Sequence, residues 1–213
     1  MDIRQVANRN KYDLAASSYD CIAFLLSLGQ ARKIYEEVAK NLDIPTDGTV
    51  VELGCGPASV VPSLLQVIDD SAKIIGIDFS QQMIAIANRK KEANGWHNVQ
   101  FACMDMYDFS PTQKVDAVVF CLSLTAMPDY QKALDHALSI LKPGGQLLIV
   151  DSIPLHFKWY HSLTNTYIYL KSLVVGAKPI AEILEYIEQR TIAVEKMTMA
   201  LGVYTLIKSR IPQ

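Results

Sequence analysis

The chain has 213 residues, of which 50% are hydrophobic and 20% charged, a composition typical of globular rather than disordered proteins. Its 20 basic and 22 acidic side chains leave a net charge of -2, without the basic surplus of a nucleic-acid binder. This length can bury a core without disulfides or metals, and the scattered Cys21, Cys55, Cys103 and Cys121 read as free thiols in a reducing cytoplasm.

Residues 10–43 read as helices, because Ile22, Leu25, Leu26, Ile34 and Val38 recur at helical spacing, with Gly29 breaking the pattern. The N-terminus carries Asp2, Arg4, Arg9 and Lys11 around no apolar centre, so it does not read as a signal peptide. Residues 49–53 form a buried strand with one polar member, Glu52. A glycine-containing loop follows, and then a helix over 59–67 with Pro62 tolerated in its first turn. A second strand spans 73–78, and Ser80 caps a helix over 81–94. Strands three and four cover 99–103 and 115–121. A helix over 130–141 puts Ala133, Leu134, Ala137, Leu138 and Leu141 on one face, and Lys142-Pro143-Gly144-Gly145 stops it before a fifth strand at 146–151. The apolar runs have strand length, far below a membrane span. Residues 157–175 are rich in aromatics, and 180–189 read as a helix. Residues 191–199 and 202–208 read as an antiparallel pair turning at Ala200-Leu201-Gly202. The strand–helix alternation implies an α/β fold, with a mostly parallel sheet covered on both faces.

Three carboxylates fall at the ends of the first three strands, the edge where open α/β sheets bind ligands. Gly54 and Gly56 allow a tight turn and close approach of a ligand to the backbone. Glu52 would repel a pyrophosphate but could orient the amino end of an amino-acid cofactor, since a buried carboxylate needs a partner. Asp78 ends the second strand, where an acidic side chain can hold both hydroxyls of a ribose. Asp105 follows the third strand and could accept from an adenine amine, with Met104 or Met106 against the ring. A nicotinamide-binding dehydrogenase is the competing reading, and Glu52 and Asp105 argue against it. No His/Cys/Asp spacing suggests a metal site.

These segments resemble class I S-adenosylmethionine-dependent methyltransferases. The resemblance rests on Glu52-Leu53-Gly54-Cys55-Gly56-Pro57-Ala58, Gly76-Ile77-Asp78-Phe79-Ser80, Met104-Asp105 and Leu141-Lys142-Pro143-Gly144-Gly145. Ala58 departs from the third glycine that many members carry. The resemblance implies a Rossmann-like, seven-stranded mixed sheet with an antiparallel C-terminal strand pair, in a single methyltransferase domain. Residues 1–44 would be an N-terminal helical cap, 45–151 the cofactor-binding core, 152–190 a lid and helix, and 191–213 the terminal strand pair. It implies S-adenosyl-L-methionine as cofactor. Tyr19, Glu52, Gly54, Cys55, Gly56, Asp78, Phe79, Met83, Met104, Asp105, Met106 and Cys121 would surround it.

The acceptor is read from less specific stretches. Lys11-Tyr12-Asp13-Leu14-Ala15-Ala16-Ser17-Ser18-Tyr19-Asp20 resembles an element that folds over the cofactor in small-molecule, quinone and phospholipid methyltransferases. The stretch from Cys121 to Leu134 and the Gly202-Val203-Tyr204 tail are similar to bacterial N-methyltransferases of phospholipids and betaine lipids. The leading expectation is therefore N-methylation of a small amine or an amine-bearing lipid headgroup. Tyr12, Tyr19, Ser123 and Thr125 would orient it or receive its proton. The alternative is O- or C-methylation of an aromatic or quinone-like metabolite, with His156 or His161 as general base. Tyr160, Leu163, Tyr167, Leu170 and Val174 fall near one helical face, as a lid or simply as the helix covering the sheet edge. Lys158, Lys171 and Lys178 could give transient contact with an anionic membrane surface. The reading is of a cytoplasmic enzyme with a small-molecule or lipid substrate, no nucleic-acid partner, and an oligomeric state the residues do not reveal.

Overall fold

The computed structural model describes residues 13, 19–154 and 161–213. One seven-stranded sheet organises them, in the order β3-β2-β1-β4-β5-β7-β6. The strands are β1 (Thr49–Leu53), β2 (Lys73–Asp78), β3 (Val99–Cys103), β4 (Val115–Cys121), β5 (Leu141–Asp151), β6 (Ile192–Met199) and β7 (Tyr204–Arg210). The first five are parallel, and β7 and β6 run antiparallel to their neighbours, as expected from the residues. The helices are α1 (Tyr19–Leu26), α2 (Ala31–Lys40), α3 (Val61–Leu64), α4 (Gln81–Asn94), α5 (Tyr130–Ile140), α6 (His161–Val175) and α7 (Ile183–Glu188).

The central strands read as unbroken apolar runs because both sheet faces are covered. All seven residues of β4 are buried. Successive side chains alternate between two cores. Val50, Ile74, Val119 and Leu148 pack on one face with Ile34 and Val38 of α2 and Val61 and Leu64 of α3. Val51, Ile77, Val118 and Leu147 pack on the other, with Ala133, Leu134 and Ala137 of α5 and Ile183 and Ile187 of α7. Each fully buried aliphatic side chain contributes about 1.5–3 kcal/mol of transfer free energy. Glu52 alternates with Val51 and Leu53, so it stands on the Val50 face and is 2% exposed.

Caps set several helix ends. Ser80 accepts from the Met83 amide at 3.2 Å, and Gly95, at φ 65°, closes α4 in the left-handed conformation. Asp129 accepts from the Lys132 amide at 3.0 Å to open α5.

Six expectations need correction. The helix expected over 59–67 has only Val61–Leu64 as α-helix, flanked by turns, and no side chain caps its start. The Lys142-Pro143-Gly144-Gly145 segment does not precede β5 but belongs to it: the strand starts at Leu141 and bulges before pairing Gln146 with Ala117. The helix expected over 180–189 is shorter, and the last strand is shifted to begin at Tyr204. Ala200, Leu201 and Gly202 all take positive φ and hold the chain in a turn. Leu25 lies on the outer side of α1, 65% exposed. The inward face of α6 is Ile168, Lys171 and Ser172, all buried, while Leu163 and Leu170 are 74% and 60% exposed.

Candidate functional site

The chain runs from β1 outward through β2 and β3, then returns to the other side of β1 as β4. This reversal opens a crevice at the carboxyl ends of the strands, the position where such sheets take ligands. The loop after β1 forms its floor. Gly54 and Gly56 have φ of 74° and 52°. The amides of Gly54 and Cys55 donate to the Ile77 carbonyl at 2.8 and 3.0 Å, tying the loop to the end of β2. A Cβ on Gly54 would lie 2.7 Å from the Ser123 Cβ, so glycine is required there by approach as well as by conformation. Ala58 keeps a left-handed φ of 60° although it carries a methyl group. That conformation costs roughly 1–2 kcal/mol for a non-glycine residue.

Asp78 holds the loop from the other side. Its carboxylate accepts from the Gly56 amide at 2.8 Å and the Ser80 amide at 2.9 Å. The carboxylate still has a lone-pair site for a hydroxyl. Asp105 accepts from the Tyr107 amide at 3.2 Å, capping the short turn Met106–Asp108. Glu52 is different. Its Oε2 is buried without a hydrogen-bond partner. Burial, reinforced by Asp78, pushes its carboxyl well above the ordinary range. Burial, with the Glu52 carboxylate second, likewise pushes up the thiols of Cys55 and Cys121.

Three chambers adjoin along the crevice. One is lined by Ile77, Asp78, Phe79, Met104, Asp105 and Met106. The middle one is lined by Tyr19, Gly54, Gly56, Asp78, Met83 and Ser123. The third, the roomiest of the three, lies between α1, α6 and the ends of β4, β5 and β7. Tyr19, Leu122, Thr125, Asp151, Ser152, Lys171 and Tyr204 line it, with Ile22, Ala23, Leu26 and Ile168 as apolar walls. Tyr19 borders both the second and third chambers.

Of the sequence-predicted residues, Tyr19, Gly54, Gly56, Asp78, Phe79, Met83, Met104, Asp105, Met106, Ser123 and Thr125 line these chambers. Glu52, Cys55 and Cys121 stand behind the wall. Ser123 donates to the Leu53 carbonyl at 2.7 Å. Thr125 donates to Asp151 through both its amide, at 2.9 Å, and its hydroxyl, at 2.7 Å. Tyr12, His156, Phe157, Lys158, Trp159 and Tyr160 lie outside the described residues. His161 opens α6. Lys171 is no surface lysine: it is 8% exposed, so it cannot meet a membrane headgroup as expected. Lys178 is exposed.

Sequence reasoning missed Asp151 and Ser152, and it singled out Lys171 for a membrane surface and Leu122 and Tyr204 only as parts of longer likenesses, not as residues of the crevice. Asp151 ends β5, and the strand-end rule that picked out Asp78 would have found it. Leu122 holds a positive φ of 58° at the junction of two chambers, backbone strain of the kind concentrated at functional sites. Its amide donates to the Val150 carbonyl at 2.8 Å.

A sequence profile described as the ubiE/COQ5 methyltransferase family matches residues 2–186. A demethylmenaquinone methyltransferase of Listeria welshimeri is 25% identical over 157 residues, 73% of this chain. The match spans 66% of that relative's own length, just under two thirds. The crystal structure of the N-methyltransferase NodS from Bradyrhizobium japonicum, in complex with S-adenosylhomocysteine, superposes with a TM-score of 0.65. It is 15% identical, covering 86% of this chain and 88% of that one. The [4+2]-cyclase SpnF superposes with a TM-score of 0.66 at 19% identity, covering 85% and 82%. Likeness at that identity shows a shared fold, and a cyclase among the neighbours shows that the fold does not dictate the reaction.

Proposed function

The chain belongs to the ubiE/COQ5 methyltransferase family, and we propose that it transfers a methyl group from S-adenosylmethionine to carbon or oxygen of a hydroxylated aromatic or quinol-like ring. The observation that carries this reading is the continuous crevice. Two polar-edged chambers run from the glycine loop to Asp105, and a larger, mostly apolar chamber opens beside them.

The residues present fit the cofactor. The orphaned Oε2 of Glu52 lies beneath the loop and lacks a cationic or hydrogen-bonding partner of the kind an α-ammonium supplies directly or through water. Asp78 would accept from the ribose hydroxyls, Asp105 from the adenine amine, and Met104 and Met106 would pack on the ring. When bound, S-adenosylmethionine supplies an electrophilic methyl group on a sulfonium sulfur.

Tyr19, Leu122 and Ala126 border the junction between the middle and third chambers, where they would align the acceptor and exclude water. Transfer forms one bond from acceptor carbon or oxygen to the methyl carbon. The sulfur–methyl bond breaks with its electron pair passing to sulfur, and the acceptor releases one proton.

The acceptor class follows from the chamber's chemistry and from the relatives. An amine would gain from a free carboxylate. Asp151, the carboxylate of the third chamber, already accepts from the Thr125 amide and hydroxyl and, at 2.8 Å, from the Ser152 amide. The demethylmenaquinone methyltransferases among the relatives favour a ring acceptor over the amine expected first. The test is S-adenosylhomocysteine formation with a panel of naphthoquinols, phenols and small or lipid amines. Turnover on ring acceptors is expected, and turnover confined to amines would overturn the reading.

A further inference from the structure

The third chamber holds a buried cation that the cofactor reading leaves unused. Lys171 projects from the inward face of α6, 8% exposed, between Ser152 at the end of β5 and Tyr204 at the start of β7. Its Nζ donates to the Ser152 Oγ and sits 4.0 Å above the centre of the Tyr204 ring. Among the described residues it closes no salt bridge. Asp151 attracts it, but the hydrogen bonds of the Asp151 carboxylate run to Thr125 and the Ser152 amide rather than to the Lys171 ammonium. An ammonium has three donors, and one hydroxyl and one aromatic face do not replace its hydration. A buried charge without a direct salt bridge is costly, and the cost is met when a ligand brings a counter-charge into contact.

We propose that Lys171 is the anion-recognition group of the acceptor chamber, pairing with an ionised hydroxyl oxygen of the ring and so selecting phenolate- or enolate-type acceptors. The assignment rests on the methyl-transfer reading above and names the feature of the acceptor that the chamber reads. Burial brings the Lys171 ammonium down to about 8, with Asp151 opposing, so the charged form prevails at neutral pH. Ionisation releases the hydroxyl proton to water. The electron pair left on the oxyanion, shared with the ring carbon, is the one that bonds to the methyl carbon. The same charge disfavours a protonated amine, since like charges in a low-dielectric chamber repel.

The experiment uses the full chain loaded with S-adenosylhomocysteine. Its probes are 2-hydroxy-1,4-naphthoquinone, anionic at neutral pH, and the neutral 2-methoxy-1,4-naphthoquinone of similar shape. The wild-type chain should bind the anion at least about tenfold more tightly, and Lys171→Gln and Lys171→Met should reduce that preference to about twofold or less. The visible band of the bound anion should shift in wild type and not in the variants. Equal affinity of wild type for the two probes overturns the assignment, whether or not the variants fold. So does an unchanged preference in folded variants. Wild-type protein that binds no S-adenosylhomocysteine would instead overturn the methyl-transfer reading, so the two failures are distinguishable.

Discussion

A carboxyl at the end of a buried strand is the least economical residue of the site, and its energetics can be measured. In the ligand-free protein Glu52 is held protonated more strongly than in the unfolded chain, by burial first and the Asp78 charge second. Its contribution to stability is therefore fully present below the ordinary glutamate value of 4.5 and is lost as pH rises through the raised folded-state value. Asp78 and Asp151 are raised by burial in the same direction. Glu52→Gln removes one of these terms. The ligand-free variant should lose less stability than wild type between pH 5 and pH 8 and melt higher at the upper end. For a chain of this size the gain is about 2–4 °C for each kcal/mol recovered. The same change should weaken S-adenosylmethionine binding about tenfold or more, because a charged partner for the ammonium is gone. Thermal melts across pH, with and without cofactor, check both halves. A variant that melts lower at pH 8 and binds cofactor normally would show that Glu52 is merely structural.

The elements differ in how far their residues reveal them. Strands β1, β2 and β4 and the buried half of β5 were legible because both sheet faces are covered there, which demands apolar runs such as 117–121, with acidic residues near their ends. The glycine loop, Asp78 and Asp105 were legible for the same reason: a polar residue at a buried strand's end has few structural uses. Helix α6 was misread because amphipathicity was taken to mean apolar residues inside. It faces a cavity rather than a core, so Lys171 and Ser172 turn inward while Leu163, Leu170 and Leu173 turn out. The placement of α1 was also invisible locally, since it depends on contacts far along the chain. The hydroxyls of Tyr167 and Tyr204 both donate to the Leu26 carbonyl, each at 3.0 Å, holding the last turn of α1 over the third chamber. Such bonds contribute about 1 kcal/mol apiece. Tyr167→Phe with Tyr204→Phe should leave the sheet intact but speed amide exchange in 19–26 and raise the acceptor KM severalfold, with little change in cofactor affinity. Unchanged exchange in α1 would refute its anchoring by these two hydroxyls.

At the scale of the whole molecule, the sheet's reversal next to β1 sets the chambers proposed for the cofactor beside the one proposed for the acceptor. Chambers touching Asp78 and Asp105 are built mainly by the loops after β1 to β4, with Tyr19 of α1 and Met83 of α4 at the edge of the middle one, whereas the third is closed by α1, α6 and the antiparallel end of the sheet. The link after α6 is fastened to this frame by the Lys178 amide, which donates to the Thr125 carbonyl at 2.7 Å. Thr164 fastens α6 itself by donating to the Leu201 carbonyl at 3.1 Å. Ala177 lies in this link and lines the third chamber but neither of the others. Ala177→Trp adds bulk to one chamber alone. If the division of labour holds, S-adenosylhomocysteine affinity should change less than about twofold. Methyl transfer to a ring acceptor should lose about tenfold or more in kcat/KM, carried mainly by KM, because the lost contacts are made equally in ground and transition states. Isothermal titration and steady-state kinetics on the same preparation read the two quantities separately. A matched fall in cofactor affinity would mean that the chambers form one energetic unit, and no effect on turnover would place the acceptor elsewhere.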